Sequence, residues 1–255
     1  MYNIDEIVNK VHCRNCIDFM KQIPDNCIDM ILCDLPYGVT QNKDDKVIDL
    51  NLLWEQYKKL IKEKGVIALT SQQPFTTDLI NSNREMFRYD LVWNKILVSG
   101  FLNAKRMPLR VHEHILIFYK KLGVYNPQFT YGEPLHSKGV NYKNKEIKNR
   151  NYGKFIQKDD LRKGSREKYP TSILRISKYH PSIQVHPTQK PVALFEYLIK
   201  TYTNEDDLVL DNCAGSGTTG IACKNINRNY ILIEKEQRYC EITKDRLRNI
   251  PESLF

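Results

Sequence analysis

The sequence predicts an α/β domain in which helices return to the strands of a mostly parallel central sheet, with one basic insertion. Three observations predict it. Short apolar runs, Met30-Ile-Leu-Cys33, Val66-Ile-Ala-Leu-Thr70 and Tyr230-Ile-Leu-Ile233, alternate with segments of helical spacing, the repeating unit of a parallel sheet. Two of the runs end on a carboxylate, Asp34 and Glu234, as strands do that deliver polar groups at their C-terminal edge. The charge is also segregated. Lys121 to His180 holds fourteen Lys and Arg against five Asp and Glu, a surplus of nine that accounts for the whole net charge of +9. A chain of 255 residues with 41% apolar content buries one good core, so one domain with an insertion fits better than two independent domains. The expected parts are residues 1–120, the insertion at 121–185, and 186–255.

Taken in order, Val8 to Cys16 is a strand candidate, and Ile17 to Ile23 a short helix running into the Pro24-Asp-Asn26 turn. Ile28 to Cys33 is a buried strand. Asp49 to Lys62 carries Leu50, Leu53, Trp54, Tyr57, Leu60 and Ile61 at helical spacing and leads through Gly65 into the next strand. Ser71-Gln-Gln-Pro-Phe75 ends that strand on polar groups, and Thr76 to Asn81 is helical. Tyr89 to Trp93 and His114 to Tyr119 read as strands, joined through Val98 to Lys105, a stretch whose glycine and polar residues predict a mobile loop. His186-Pro-Thr-Gln-Lys-Pro191 opens a helix through Tyr202, with proline where a missing N–H costs nothing.

The N-terminus MYNIDEIVNKVHC has no long apolar run, so neither a signal peptide nor a membrane span is expected and the cytoplasm is the expected location. In that reducing compartment the seven cysteines read as thiols. Cys13-Arg-Asn-Cys16 has the spacing of half a zinc site, but no second pair follows at finger spacing, and no metal is expected.

Two stretches carry chemistry. In Asp34-Leu-Pro-Tyr37, Pro36 fixes its own φ and pushes Leu35 out of the helical region, so Asp34 and Tyr37 project from a rigid turn. A carboxylate and a main-chain carbonyl aimed at the hydrogens of an exocyclic amine would draw its delocalised lone pair toward a nucleophilic, tetrahedral form. The face of Tyr37 can stack on a base drawn out of its helix. The second stretch is Asp211-Asn-Cys-Ala-Gly-Ser-Gly-Thr-Thr-Gly220, leading into a helix and a strand capped by Glu234. Gly215-x-Gly217-x-x-Gly220 lets backbone approach a ligand, and the acidic residue about twenty positions on can accept from ribose hydroxyls. By itself this stretch also suits a nicotinamide dinucleotide, or a tight turn without a ligand. The insertion interleaves basic and aromatic residues, as a phosphate-binding stripe does and as a solvated lysine-rich loop also does.

At Asp34 to Tyr37 the chain resembles the Asp-Pro-Pro-Tyr signature of S-adenosylmethionine-dependent DNA amino-methyltransferases. It departs at Leu35, where the main-chain carbonyl survives the change. Asp211 to Gly217 resembles the Asp-Pro-Phe-x-Gly-x-Gly loop of the same family, with Asn212 and Cys213 as departures. The order of parts, catalytic tetrapeptide, basic insertion, then His-Pro-Thr-Gln-Lys-Pro and the glycine loop, is similar to the β-group. The resemblance implies a Rossmann-like methyltransferase fold whose catalytic half is 1–120, target-recognition region 121–185 and cofactor-binding half 186–255. It implies catalysis by Asp34, Leu35, Pro36 and Tyr37. It implies S-adenosyl-L-methionine held by Asn15, where the family often has aspartate, by Asp34, and by Lys190 as partner of the methionine carboxylate. Asp211, Cys213, Ala214, Gly215, Gly217, Thr218 and Glu234 complete that set. Lys143, Lys145, Lys148, Arg150 and Lys154 are the expected phosphate contacts, with Arg150, Asn151, Arg162 and Arg166 as the expected base readers.

The implied reaction is methylation of adenine N6 in DNA with base flipping, since an initial aspartate is commoner in adenine enzymes. Cytosine N4 and RNA remain alternatives, as do a nicotinamide oxidoreductase and a non-enzymatic DNA-binding protein. A cognate restriction endonuclease and a homodimer are the partners such an enzyme would have.

Overall fold

The computed structural model describes residues 2–38, 46–134, 146–156, 164–179 and 189–250. The chain divides into two compact units, Met1–Asn126 with Ser172–Phe255, and Pro127–Thr171.

In the larger unit α1 (Ile4–Ile7), β1 (Lys10–Cys13) and α2 (Cys16–Met20) precede β2 (Ile28–Cys33). Helix α3 (Leu50–Leu60), β3 (Ile61–Ser71), α4 (Phe75–Ser82), β4 (Phe87–Ser99) and β5 (Arg110–Phe118) follow. The smaller unit contributes β6 (Thr130–Tyr131), β7 (Glu146–Asn149), β8 (Gly153–Ile156) and β9 (Glu167–Lys168). The chain then completes the larger unit with β10 (Ile173–Arg175), α5 (Val192–Tyr202), β11 (Leu208–Asp211), α6 (Thr218–Asn225), β12 (Asn229–Glu234) and α7 (Gln237–Arg248).

Eight strands form one sheet in the order β1-β12-β11-β2-β3-β5-β4-β10. All neighbours are parallel except β3 with β5 and β5 with β4. This is the expected α/β architecture with a mostly parallel central sheet. Successive residues of a strand face opposite sides, and both sides are apolar, because helices cover both. Ile31, Cys33, Leu210, Ile231 and Ile233 pack with Phe19, Leu53, Tyr57 and Leu79 of α2, α3 and α4. Met30, Leu32, Val209 and Leu232 face the other way, onto Leu194, Leu198, Ala222 and Leu247 of α5, α6 and α7.

Most expected elements form, with shifted ends. Helix α3 starts where Asp49 accepts from Asn51 N at 2.8 Å, and stops at Leu60 rather than Lys62. Pairing of Ile61 with Ile28 draws the chain into the sheet, and Lys62 is held by Asp29 at 2.7 Å. The stretch Val98 to Lys105 is not wholly loop: β4 continues to Ser99, and a 3-10 turn spans Phe101–Asn103, closed by Asn103 N to Gly100 O at 2.9 Å. Helix α7 has no counterpart among the elements that apolar spacing predicts. Its Cys240, Thr243 and Leu247 are buried at helical spacing, but a threonine stands in the middle of the stripe and charged residues surround it, which hides it in the sequence.

In the smaller unit β6 pairs with β9, and β7 with β8, both antiparallel. The rings of Phe129 and Tyr169 lie 5.0 Å apart.

Candidate active site

Strands β11 and β2 are neighbours from which the chain winds outward in opposite directions, to β12 on one side and β3 on the other. Crevices at the carboxyl ends of strands form at such a reversal. Here a cavity of about 880 Å³ opens, and the two chemical stretches read from the sequence meet in it.

Register builds the catalytic corner. Cys33 pairs with Leu69, so Asp34, the first residue past β2, stands beside Thr70 of β3. The Thr70 hydroxyl donates to Asp34 Oδ1, and the Tyr37 hydroxyl, 2.8 Å from the same oxygen, donates to it as well. Lys190 Nζ lies 2.8 Å from the Asp34 carboxylate and 3.2 Å from Glu113 Oε2, while Lys95 Nζ lies 3.0 Å from Glu113 Oε1. Two carboxylates thus alternate with two ammonium groups in a part-buried, charge-neutral chain. Burial opposes charging of Lys190, but Asp34 and Glu113 outweigh it and raise its pKa. Burial likewise pushes Glu113 up, and Lys190 and Lys95 outweigh it to hold the carboxyl below its ordinary value. Burial and the Asp34 charge raise the Tyr37 hydroxyl, which therefore keeps its proton and acts as donor.

Leu35 anchors the turn in the core at 3% exposure, and Pro36 lines the cavity. The Tyr37 ring stacks on Phe75 with centroids 5.7 Å apart, and Lys190 Nζ stands 5.4 Å from its centroid. Lys190, expected as partner of the methionine carboxylate, lines the cavity and is paired there with Asp34 and Glu113. A buried ammonium settles where carboxylates are already desolvated, and those are Asp34 and Glu113.

The cofactor-side residues assemble around the loop after β11. Ala214 N donates to Ile233 O at 3.0 Å, Gly215 N to Glu234 Oε2 at 2.8 Å, and Glu236 N to Glu234 Oε1 at 2.9 Å. Glu234 thereby ties the glycine loop to the end of β12. Burial raises its pKa against these backbone donors. Asp211 accepts from Thr219 Oγ1 and, at 3.0 Å, from Cys213 N; burial lifts its carboxyl to about 7. Asn15 lines the same cavity and caps α2, accepting from Ile17 N at 3.0 Å and Asp18 N at 3.2 Å. Cys213 and Thr218 also line it, and all seven cysteines are free.

The three glycines divide. Gly215 lines the cavity with φ +51°. Gly217 is flanked by the lining residues Ser216 and Thr218; at φ +78° its missing Cβ would run into Thr243 of α7, so packing against that helix already requires glycine there. At Gly220 a Cβ would meet Leu232 Cδ1 at 2.6 Å, a helix-to-strand approach.

Thr70, Lys95, Glu113 and Thr243 were not legible as site residues. Glu113 sits in an ordinary-looking run, Arg110-Val-His-Glu-His114, and only the antiparallel pairing of β5 with β4 and β3 brings it beside Lys95 and Lys190.

Among the described residues no cluster of His, Cys, Asp or Glu suits a metal, and no helix is long and apolar enough to cross a membrane. Of the expected DNA contacts, Lys148, Arg150, Asn151 and Lys154 lie exposed on the β7–β8 hairpin, and Arg166 Nε donates to Gly132 O at 3.2 Å. Lys143, Lys145 and Arg162 lie outside the described residues.

Comparison with known proteins decides the family. The profile of the N6/N4 DNA methylases matches residues 28–245. The chain belongs to the DNA methylase family. As a DNA methylase it is 30% identical to the Type II methyltransferase M2.MboI of Moraxella bovis, across 94% of this chain and 88% of that protein. It is 27% identical to M.HpaI of Haemophilus parainfluenzae, across 92% and 73%. The methylase shares its fold with the M1.HpyAVI–SAM complex (TM-score 0.61, 24% identity, 93% and 99% covered). It also shares it with the cytosine-N4-specific PvuII DNA methyltransferase (TM-score 0.65, 14% identity, 96% and 87% covered).

Proposed function

We propose that this DNA methylase is a β-group, Type II site-specific enzyme that transfers a methyl group from S-adenosylmethionine to the N6 amine of an adenine flipped out of DNA. The observation that carries it is the meeting, in one cavity, of Asp34 with its donors and the Gly215–Glu234 loop. Glu234 and Gly215 at the strand ends, with Asn15 and Asp211 beside them, form a cradle of the polarity a nucleoside needs. The donor set fits.

Bound there, S-adenosylmethionine supplies a methyl group on a sulfonium, which is a good leaving group. The protein's task is alignment and charge complementarity. Asp34 accepts a hydrogen of the target amine, Leu35 offers its carbonyl to the other, and Tyr37 packs against the base. Thr70 and Lys190 hold Asp34 in its orientation, and Glu113 shares the Lys190 charge.

The compact unit Pro127–Thr171 falls inside the basic insertion, which supports target recognition there between the catalytic half, 1–120, and the cofactor half, 186–255. Lys148 and Lys154 are cross-strand partners, a like-charge pairing that costs stability and suits a polyanion; Lys154 also meets Glu146 at 3.2 Å. The Type II relatives support a cognate restriction endonuclease as partner.

Incubation with labelled S-adenosylmethionine and mixed-sequence DNA, followed by digestion to nucleosides, is expected to put label in N6-methyladenine. Label in N4-methylcytosine would transfer the reading to cytosine, and label in RNA alone would overturn the DNA substrate.

A further inference from the structure

The rim of the cavity carries apolar side chains that face outward. The β4–β5 ladder passes from Asn94–His112 to Ser99–Arg110, five steps of one strand against two of the other, so Ile96, Leu97 and Val98 bulge from the sheet. Ile96 adopts φ +64°, a costly conformation for a β-branched residue. The turn beyond exposes Phe101 (77%), Leu102 (83%) and Met107 (52%). Ser99 and Gly100, directly before it, line the cavity with Asp34 and Tyr37.

An exposed apolar cluster of this kind marks an interaction site, and its surroundings select the occupant. From Ile96 to Arg110 the chain has Lys105, Arg106 and Arg110, all exposed, and no acidic residue. Lys178 Nζ reaches Val98 O at 3.2 Å, adding a fourth cation. An apolar tip whose own segment carries cations and no carboxylate complements a partner that is anionic outside and apolar inside. Duplex DNA is such a partner, with phosphates flanking the faces of stacked bases. Extruding a base leaves a gap in that stack, and apolar side chains fill such gaps.

We propose that Phe101 and Leu102 are a wedge that enters the base stack of duplex DNA beside the flipped target, while Lys105, Arg106 and Arg110 hold the flanking phosphates. This rests on the DNA methyltransferase reading. The pair act as positioning residues: they touch neither cofactor nor reacting atoms but hold the base outside the helix.

The target site is first mapped by sequencing the mixed-sequence DNA that the wild-type protein methylates. Two synthetic duplexes then carry that site, one with the target base paired and one with it opposite an abasic residue, where no pair need be broken. For Phe101→Ala/Leu102→Ala, kcat/KM on the paired duplex is expected to fall at least about tenfold and to recover to near wild type on the abasic one. Lys105→Ala/Arg106→Ala should weaken both duplexes alike. An equal loss for the wedge variant on both duplexes, or no loss on the paired one, overturns the wedge. So does a change in its sedimentation without the difference between duplexes, which would make the tip an interface between copies. If the wild-type protein methylates neither DNA, the methyltransferase reading itself fails, an outcome distinct from a wedge failure in an active enzyme.

Discussion

Lys190 Nζ stands 2.8 Å from the carboxylate of Asp34, a residue 156 positions away in the chain, and 3.2 Å from Glu113. The two carboxylates share one buried ammonium, and Lys95 completes the charge balance from the far side of Glu113. Removing Asp34 therefore leaves Lys190 with a partner.

That makes Asp34→Ala interpretable. The variant is expected to fold and to bind S-adenosylmethionine almost as the parent does, while turnover falls roughly a hundredfold or more, as for loss of a polarising acceptor. Asp34→Asn keeps one acceptor oxygen and should retain more activity than alanine. Parallel losses in calorimetric affinity and in turnover would remove Asp34 from the chemical step.

Two buried carboxyls give opposite pH dependences. Glu113 is held below its ordinary 4.5, so its contribution to stability is present above that value and is lost as pH falls through its lower folded value. Asp211 is raised from 3.8 to about 7, so the folded state keeps a proton that the unfolded chain releases, and stability from this group declines as pH rises between those values. Denaturant titrations should show a shallower acid limb for Glu113→Gln and a flatter profile between those two values for Asp211→Asn. A wild-type profile in both variants would contradict these assignments.

Gly217 faces helix α7, so its substitution acts on the fold. Gly217→Ala should lower the melting temperature through both the left-handed φ, which costs roughly 1–2 kcal/mol, and the close approach to Thr243. In a Thr243→Ala background the approach to Cγ2 and Oγ1 is removed and only that to Cβ, at 3.1 Å, remains, so a double-mutant cycle should show positive coupling. Strict additivity would mean the close approach has no energetic weight.

Glu234 holds the glycine loop, and the ribose contact proposed for it falls on the same carboxylate. Glu234→Ala frees the Gly215 and Glu236 N–H groups and should weaken S-adenosylmethionine binding about tenfold or more, with kcat at saturating cofactor much less affected. An unchanged dissociation constant would place the cofactor elsewhere.

On the β7–β8 hairpin, alanine at Lys148, Arg150 and Lys154 should weaken binding to all DNA sequences and reduce the slope of log affinity against log salt by about 0.9 for each phosphate no longer neutralised. A base-reading side chain, for which Arg150, Asn151 and Arg166 are the described candidates, should instead cost about 1–3 kcal/mol on the preferred site only. A salt slope that stays at the wild-type value would make the hairpin a solvated surface.

The sequence by itself determined the strands, because their apolar runs are local, and it determined the polar groups at their ends. Asp34 after Cys33, Glu234 after Ile233 and the glycine loop after β11 follow from chain order alone. It could not determine what those groups touch. Asp34 meets Thr70 only because β2 and β3 pair in one register, and Lys190 only because α5 packs back onto the sheet. Glu113 joins them because β5 runs antiparallel beside β3, and Gly217 is constrained by a helix, α7, whose apolar stripe is obscured by charge. The burial that shifts Glu113 and Asp211 is likewise a property of the assembled layers. Strand formation depends on neighbours in sequence. Electrostatics and side-chain packing depend on neighbours in space, and these the tertiary structure alone decided.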